Sequence, residues 1–187
     1  MKRIGILGGT FDPPHNGHLM IADGVKHACQ LDEVWFIPTN EPPHKQQAMS
    51  NNDHRITMLK KALAHTSYFM VNTIEMERSG KSYTIDTIKL LQERHPNTSF
   101  YFIIGADMVE YLPNWNQIDE LMTLVQFVGV KRPHYSMQTD YSILEVEVPE
   151  LDISSRDIKQ RINNDEPFKF FVPLNVYQYI KDECLYE

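Results

Sequence analysis

Cysteine is scarce in this sequence, which has only Cys29 and Cys184. Two thiols so far apart in the chain indicate neither a disulfide framework nor a zinc knuckle. Positive charge is also in the minority, with 18 Lys and Arg against 25 Asp and Glu and a net charge of −7. This balance argues against a general nucleic-acid or anionic-membrane binder, so local positive charge would have to bind any anionic substrate.

Long hydrophobic runs are lacking as well. The N-terminal apolar run, residues 4–7, is too short for a signal peptide or a membrane span and leads directly into a turn. We therefore expect a cytoplasmic protein. With 42% hydrophobic residues, the chain is long enough to form one globular domain, residues 1–187, with a sizeable core.

Apolar runs of strand length alternate with helix-like segments along the chain. We predict strands at residues 4–7, 34–38, 68–74, 100–104, 124–130 and 143–148. We predict helices at 19–31, from 52 onwards, at 84–94, after an N-cap at Ser154, and at 173–183. Strand, helix and strand in repetition predict an α/β fold with a doubly wound, mainly parallel sheet. Ligands bind such sheets beyond the carboxyl ends of the strands.

The stretch Gly8–His18 lies between the first predicted strand and the first predicted helix. Its glycines let the backbone approach a ligand closely, and the N–H groups of a helix N-terminus bind phosphate. His15 and His18 are spaced to share one face of the helix, one turn apart. Two such histidines could also share a metal ion, but no third ligand is evident, so no protein-bound metal is predicted.

Two stretches carry a family resemblance. Residues 9–18, GTFDPPHNGH, resemble the G-x-F-x-P-x-H-x-G-H signature of the nucleotidylyltransferase superfamily. Residues 153–159, ISSRDIK, resemble its I-S-S-T-x-I-R motif, with Arg156 in place of Thr and Lys159 in place of Arg. Residues 42–45, 82–87 and 105–115 resemble bacterial nicotinate mononucleotide adenylyltransferases. The resemblance spans almost the whole chain and implies a Rossmann-like nucleotidylyltransferase fold.

The resemblance implies adenylyl transfer from ATP to nicotinate mononucleotide, a step in NAD biosynthesis that yields nicotinic acid adenine dinucleotide and pyrophosphate. Mg²⁺ is expected mainly on the ATP phosphates. Nucleic acid and membranes are not expected as partners, and a homo-oligomer is compatible with the sequence. One alternative is a pantetheine-phosphate adenylyltransferase, although those chains are typically shorter and lack the features at 82–87 and Trp115. The other is a nucleotide-binding sensor without turnover, against which the two histidines argue.

The nucleotide phosphate is itself an anionic nucleophile, so catalysis would consist of positioning and charge stabilisation. We assign the catalytic role to His15, His18 and Lys159, with His18 nearest the α-phosphate. The residues expected to bind ATP are Gly8, Gly9, Thr10, Phe11, His15, His18, Gly105, Asp107, Ser154, Ser155, Arg156 and Arg161. Those expected to bind nicotinate mononucleotide are Lys45, Tyr83, Thr84, Asp107, Trp115 and Arg132.

Several of these assignments have a second interpretation. Ser154 and Ser155 could be helix caps alone, and Trp115 could be an ordinary core residue that stacks on no ligand. Lys45, Arg132 and Arg161 could be solvated surface charges. Arg156 could supply the guanidinium that Lys159 lacks, or it could point to water.

Overall fold

The computed structural model of the chain describes residues 1–41, 48–78, 80–131, 137–149 and 151–187. Within them, six parallel strands form one sheet in the order β3-β2-β1-β4-β5-β6. The strands are β1 (Lys2–Gly9), β2 (Glu33–Pro38), β3 (Phe69–Val71), β4 (Thr98–Gly105), β5 (Gln126–Val130) and β6 (Ile143–Val146). The helices in these ranges are α1 (Asn16–Ala28), α2 (Asn52–Leu63), α3 (Thr84–Arg94), α4 (Ala106–Tyr111), α5 (Ile118–Leu124), α6 (Ser155–Asn163) and α7 (Leu174–Asp182).

Both faces of the sheet are covered by helices. In β1, Ile4 and Ile6 belong to a buried cluster with α3, α4 and α5, whereas Leu7 belongs to a second cluster with α1, α2, α6 and α7. Successive side chains of a strand point to opposite faces, so a sheet covered on both sides needs apolar residues at nearly every position. The predicted doubly wound parallel sheet is confirmed.

Helix α1 begins at Asn16, earlier than the predicted start at residue 19. The reason is local, because His15 acts as the N-cap and its backbone N–H donates to Nδ1 of His18 at 3.1 Å. Ala22 and Val25 are buried, whereas Ala28, whose spacing fits the same apolar stripe, is not. Ala28 is the last residue of the helix and is exposed.

Strand β3 is much shorter than the predicted 68–74. The side-chain oxygen of Asn72 accepts a hydrogen bond from the N–H of Ile74 at 3.0 Å, and a 3-10 turn, Ile74–Glu77, follows. A side chain that bonds its own backbone in this way competes with the strand ladder and ends it. The polar residue therefore overrides the apolar run around it.

The region between β4 and β5 contains two helices that the pattern did not predict. The run at 124–130 was assigned to one strand, but Leu124 closes α5 and β5 begins only at Gln126. Helices α4 and α5 are too short to show a helical repeat in the sequence. None of the helices in the described ranges is long and apolar enough to cross a membrane.

We expect Gly24→Ala in α1 to destabilise the protein by about 1 kcal/mol or more. A Cβ at Gly24 would lie 2.4 Å from Cγ1 of Val148, in the segment that leads from β6 to α6. In a Val148→Ala background the same change should cost less, because Cγ1 is gone and only the Cβ of residue 148, at 3.1 Å, stays close, while alanine is the better helix former. Urea unfolding of the wild type and the three variants measures both effects, and equal effects in the two backgrounds would contradict this packing.

Candidate active site

The strand order has its switch point between β1 and β4. From β1 the chain moves outward to β2 and β3, and it then returns to place β4 on the other side of β1. In open α/β sheets the crevice at such a switch point, beyond the carboxyl ends of the strands, is where ligands bind. Gly8 and Gly9 end β1, Gly105 ends β4, and Asp107 lies in the first turn of α4. The structure therefore brings these four predicted ATP residues to one edge of the sheet.

Phe11 holds the loop that follows β1. Its φ of 50° is in the left-handed region, which costs a non-glycine residue roughly 1 to 2 kcal/mol. Its ring is only 1% exposed and packs on Phe36 and His18, with centroid distances of 5.7 and 5.0 Å. Burying such a ring contributes about 1.5 to 3 kcal/mol, enough to offset the strain. Gly9 makes the arrangement possible, since a Cβ there would lie 3.0 Å from the ring.

The two histidines meet at the N-terminus of α1. Their rings stack with centroids 3.7 Å apart, and His15 is 5% exposed while His18 is partly exposed. A backbone N–H can only donate, so the bond from His15 N–H requires a lone pair on Nδ1 of His18. A neutral His18 therefore carries its hydrogen on Nε2, the tautomer that donates from the far side of the ring.

Asp12 is the most connected side chain of the loop, and the sequence analysis did not single it out. The carboxylate is 2% exposed. Its Oδ2 accepts from Lys159 Nζ at 3.1 Å and from the N–H of Met49 at 2.8 Å, and its Oδ1 accepts from the Tyr186 hydroxyl at 2.7 Å and from the N–H of Ser50 at 3.3 Å. Burial alone would raise the pKa of Asp12, but these hydrogen bonds and the Lys159 charge hold it below its ordinary value. The group is a buried carboxylate with each oxygen satisfied.

Arg55 is a second buried charge that the sequence analysis missed. Its apolar neighbour Ile56 is only partly buried, whereas Arg55 is 1% exposed. Its guanidinium donates to the backbone carbonyl of Thr10 at 2.8 Å and to Oδ1 of Asn52. Burial lowers the pKa of Arg55, and the charges of Asp12 and other nearby groups oppose that shift. Arg55 therefore holds the backbone of the loop after β1 through the Thr10 carbonyl.

A series of hydrogen-bonded side chains leads from Arg55 to the segment that follows β3. Because arginine only donates, the Asn52 oxygen must face Arg55, and the Asn52 amide nitrogen then donates to Oδ1 of Asn40 at 2.9 Å. Asn40 in turn donates to the backbone carbonyl of Arg78 at 2.9 Å. The side chain of Arg78 donates to the Thr87 hydroxyl at 2.7 Å. Segments that follow β1, β2 and β3 are thus joined by hydrogen bonds.

Helix α6 docks on the same loop through its first turns. Ser154 is the predicted N-cap, and its hydroxyl accepts from the N–H of Asp157 at 3.1 Å. Ser155 donates to the carbonyl of Pro13 at 2.8 Å, and Lys159 reaches Asp12 one turn later. Ser155 and Lys159 therefore hold together the two stretches that resemble the superfamily motifs, and their contacts with ATP stay a prediction.

The two arginines of α6 differ in their surroundings. Arg156 is exposed in the first turn, so a role beside Lys159 stays a prediction. Arg161 lies near the other end of the helix, where it pairs with Glu166 at 3.4 Å and its guanidinium stands over the Phe171 ring at 4.8 Å. Arg161 is therefore more than a solvated surface charge, and its predicted phosphate contact stays a prediction.

The predicted nicotinate side lies around the N-terminus of α3. Tyr83 is the N-cap and Thr84 the first helical residue, as the sequence indicated. Glu75 is 8% exposed beneath this turn and accepts from the Thr87 hydroxyl at 2.9 Å. Burial raises the pKa of Glu75 in spite of the bonds from Thr87 and Ser82 and the charge of Arg78.

Trp115 follows the short turn after α4. Its indole is partly exposed, and its edge contacts Phe102 and Phe127 with centroid distances of 5.7 and 5.9 Å. The ring thus packs on the core and still keeps some exposed surface, and stacking on a ligand stays a prediction. Lys45 and Arg132 lie outside the described residues. Within the described part of the chain, no group of three or more His, Cys, Asp or Glu side chains is placed to hold a metal ion.

A family model described as cytidylyltransferase-like matches residues 6–161, which defines the class as nucleotidyltransferases of that type. Within the class, the chain belongs to the nicotinate-nucleotide adenylyltransferase family. It is 49% identical to the nicotinate-nucleotide adenylyltransferase of Bacillus subtilis (strain 168), with 100% of both chains covered. It is 54% identical to a probable nicotinate-nucleotide adenylyltransferase of Geobacillus thermodenitrificans, covering 100% of this chain and 87% of that relative.

A solved structure confirms the fold. Plasmodium falciparum nicotinic acid mononucleotide adenylyltransferase complexed with NaAD superposes with a TM-score of 0.85 at 24% identity, covering 100% of this chain and 98% of that chain. The family and the Rossmann-like fold predicted from the sequence are both confirmed.

We expect Asp12→Asn to lower the free energy of unfolding by about 2 to 4 kcal/mol at pH 7, because Lys159 loses its buried partner and an amide N–H₂ faces other donors. The native pKa of Asp12 is lowered, so its contribution is complete above the ordinary aspartate pKa of about 3.9 and is lost as the pH falls through the native pKa. The difference between wild type and variant should therefore shrink below about pH 4.

Urea unfolding at a series of pH values measures this difference. The exposed Asp140→Asn is the matched control and should change stability by less than about 0.5 kcal/mol. A difference for Asp12→Asn that stays constant with pH would contradict a charged Asp12 in the folded protein.

Proposed function

We propose that this chain transfers the adenylyl group of ATP to the 5′-phosphate of nicotinate mononucleotide, producing nicotinic acid adenine dinucleotide and pyrophosphate in NAD biosynthesis. The observation that carries the proposal is the convergence of Lys159, the stacked His15 and His18, and the N-termini of α1 and α6 on the loop after β1. Relatives about 50% identical over the full chain are named for this activity, which supports the same substrates here.

The reaction needs no nucleophile from the protein. An oxygen of the mononucleotide phosphate forms a bond to the α-phosphorus of ATP, and the bond from that phosphorus to the bridging oxygen of pyrophosphate breaks. Negative charge increases on the leaving pyrophosphate and on the α-phosphoryl oxygens. Groups that donate hydrogen bonds from fixed positions stabilise this charge without reorganising.

The side chains around the loop are suited to that task. His18 donates from Nε2 when neutral, because its Nδ1 is held by the His15 N–H. Lys159 has three N–H donors, of which Asp12 takes one, so the ammonium can also bind phosphate oxygens. The N-termini of α1 and α6 add the positive ends of two helix dipoles. We assign His18 to the α-phosphate and Lys159 to the phosphate charge, as the sequence predicted.

Mg²⁺ enters this proposal as part of the substrate. The ion keeps most of its own waters, and one or two carboxylates plus substrate phosphates suffice to hold it. MgATP therefore requires no cage of protein ligands. When bound, the ion neutralises part of the charge on the β- and γ-phosphates.

The nicotinate carboxylate is assigned to the N-terminus of α3, where Tyr83 and Thr84 begin the helix. Trp115 would stack on the pyridine ring with the indole surface that its contacts to Phe102 and Phe127 leave exposed. Asp107 would accept a hydrogen bond from a ribose hydroxyl.

We expect nicotinate mononucleotide to exceed nicotinamide mononucleotide in kcat/KM by about 100-fold or more. Backbone N–H groups that bind a carboxylate fit a carboxamide badly, because the amide nitrogen of the carboxamide is itself a donor. Pyrophosphate release with MgATP and each mononucleotide measures the ratio, and 4′-phosphopantetheine serves as the third substrate. Equal values for acid and amide would contradict the assigned carboxylate site, and turnover of phosphopantetheine alone would contradict the proposed substrate.

We expect His18→Asn to lower kcat by about 100-fold with a smaller effect on ATP affinity, because the loss falls on charge that develops in the transition state. An asparagine oxygen can still accept the His15 N–H, so the helix cap is kept while the Nε2 donor is removed. His27→Asn, at an exposed position on the same helix, is the control. Near-normal kcat with only a raised KM for ATP would restrict His18 to binding.

A further inference from the structure

The segment that follows α7 folds back onto the loop after β1. The N–H of Leu185 donates to the carbonyl of Ile180 at 3.0 Å, and Cys184 and Tyr186 have φ values of 49° and 68°. This turn carries the Tyr186 hydroxyl to Asp12, a residue 174 positions earlier in the chain. The hydroxyl also lies 3.9 Å from the sulfur of Met58 in α2. Tyr186 thus contacts the loop after β1 that belongs to the candidate active site.

The two oxygens of Asp12 have different partners. Oδ2 accepts from Lys159 and from the Met49 N–H, at 3.1 and 2.8 Å. Oδ1 accepts from Tyr186 at 2.7 Å, while its other donor, the Ser50 N–H, is longer at 3.3 Å. Burial and the neighbouring Asp12 charge raise the pKa of Tyr186, so its hydroxyl keeps the hydrogen and remains a donor. Tyr186 therefore provides the shortest hydrogen bond to Oδ1.

We propose that Tyr186 is a positioning residue for Lys159: by occupying Oδ1 of Asp12, its hydroxyl confines the lysine to Oδ2 and keeps the other ammonium hydrogens for the phosphates. This inference rests on the proposed function. The aromatic ring contributes as well, since Lys159 Nζ lies 6.0 Å from its centroid, at the limit of a cation–π contact.

Removal of the Tyr186 hydroxyl would take away the hydrogen bond to Asp12 Oδ1. Asp12 Oδ1 is buried and would lose its shortest hydrogen bond, which leaves Ser50, whose N–H is 3.3 Å away. A buried carboxylate oxygen that loses a donor is destabilised, and Lys159, which already bonds Oδ2, has further N–H donors. The ammonium would then bind both oxygens of Asp12, and less of its hydrogen-bonding capacity would remain for the charge on the phosphates.

The test is Tyr186→Phe, which removes the hydroxyl and keeps the ring. We expect kcat with MgATP and nicotinate mononucleotide to fall about 3- to 10-fold, the range of one net hydrogen bond, with the KM for the mononucleotide unchanged. Tyr179→Phe is the matched control, because it removes a hydroxyl that bonds His54 Nδ1 at 2.8 Å in the same region of the fold. Its kcat should equal that of the wild type. Urea unfolding of both variants compares their losses of stability.

A double-mutant cycle separates positioning from general stability. In a Lys159→Met background, Tyr186→Phe should change kcat by less than about 2-fold, because the residue that it positions is gone. The same 3- to 10-fold loss in both backgrounds, or wild-type kcat for Tyr186→Phe alone, would overturn the role of Tyr186 and leave the proposed function intact. A wild-type chain that releases no pyrophosphate from these substrates would overturn the proposed function itself.

Discussion

A single buried carboxylate, that of Asp12, fixes the relative positions of four parts of the chain. A charge removed from water is costly unless hydrogen bonds and an opposite charge replace the water. The four donors to Asp12 come from Met49, Ser50, Lys159 and Tyr186, at sequence separations of 37, 38, 147 and 174 residues. The loop after β1, the segment before α2, helix α6 and the turn after α7 must therefore all be in place together. A phosphate-binding surface needs that constraint, because charge stabilisation depends on donors that do not move.

The second buried charge, Arg55, connects the loop after β1 to the segments that follow β2 and β3. It holds the Thr10 carbonyl on one side and begins the chain of amides, Asn52 and Asn40, that reaches Arg78 on the other. Each amide has one possible orientation because the arginine can only donate. The chain runs from the triphosphate side of the proposed site to the turn where α3 begins. The two halves of the site therefore share one hydrogen-bonded frame, although they come from separate strand connections.

The parallel sheet explains why the helix N-termini collect at one edge. All six strands run toward this edge, and the helices that follow β1, β2, β3, β4 and β6 start there and run back. Helices α1, α3 and α6 thus begin on the same side of the sheet, each with N–H groups that no helix carbonyl satisfies. Two anionic substrates can be bound by an acidic protein because these positive ends and a few cations are concentrated there, while the net charge of −7 is spread over the rest of the chain.

The sequence by itself determined the features that depend on neighbours a few residues apart. Helix α3 has the predicted bounds, Thr84–Arg94, Ser154 is the predicted cap, and the spacing of His15 and His18 places both rings at one helix end. Only the tertiary structure decided the roles of Asp12, Arg55 and Tyr186. Arg55 stands in a polar helix position that the apolar pattern assigns to the surface, and Tyr186 lies beyond the last predicted helix. Apart from Asn52, the partners of these three residues are distant in sequence and only the folded sheet brings them into contact, so no local pattern could identify them.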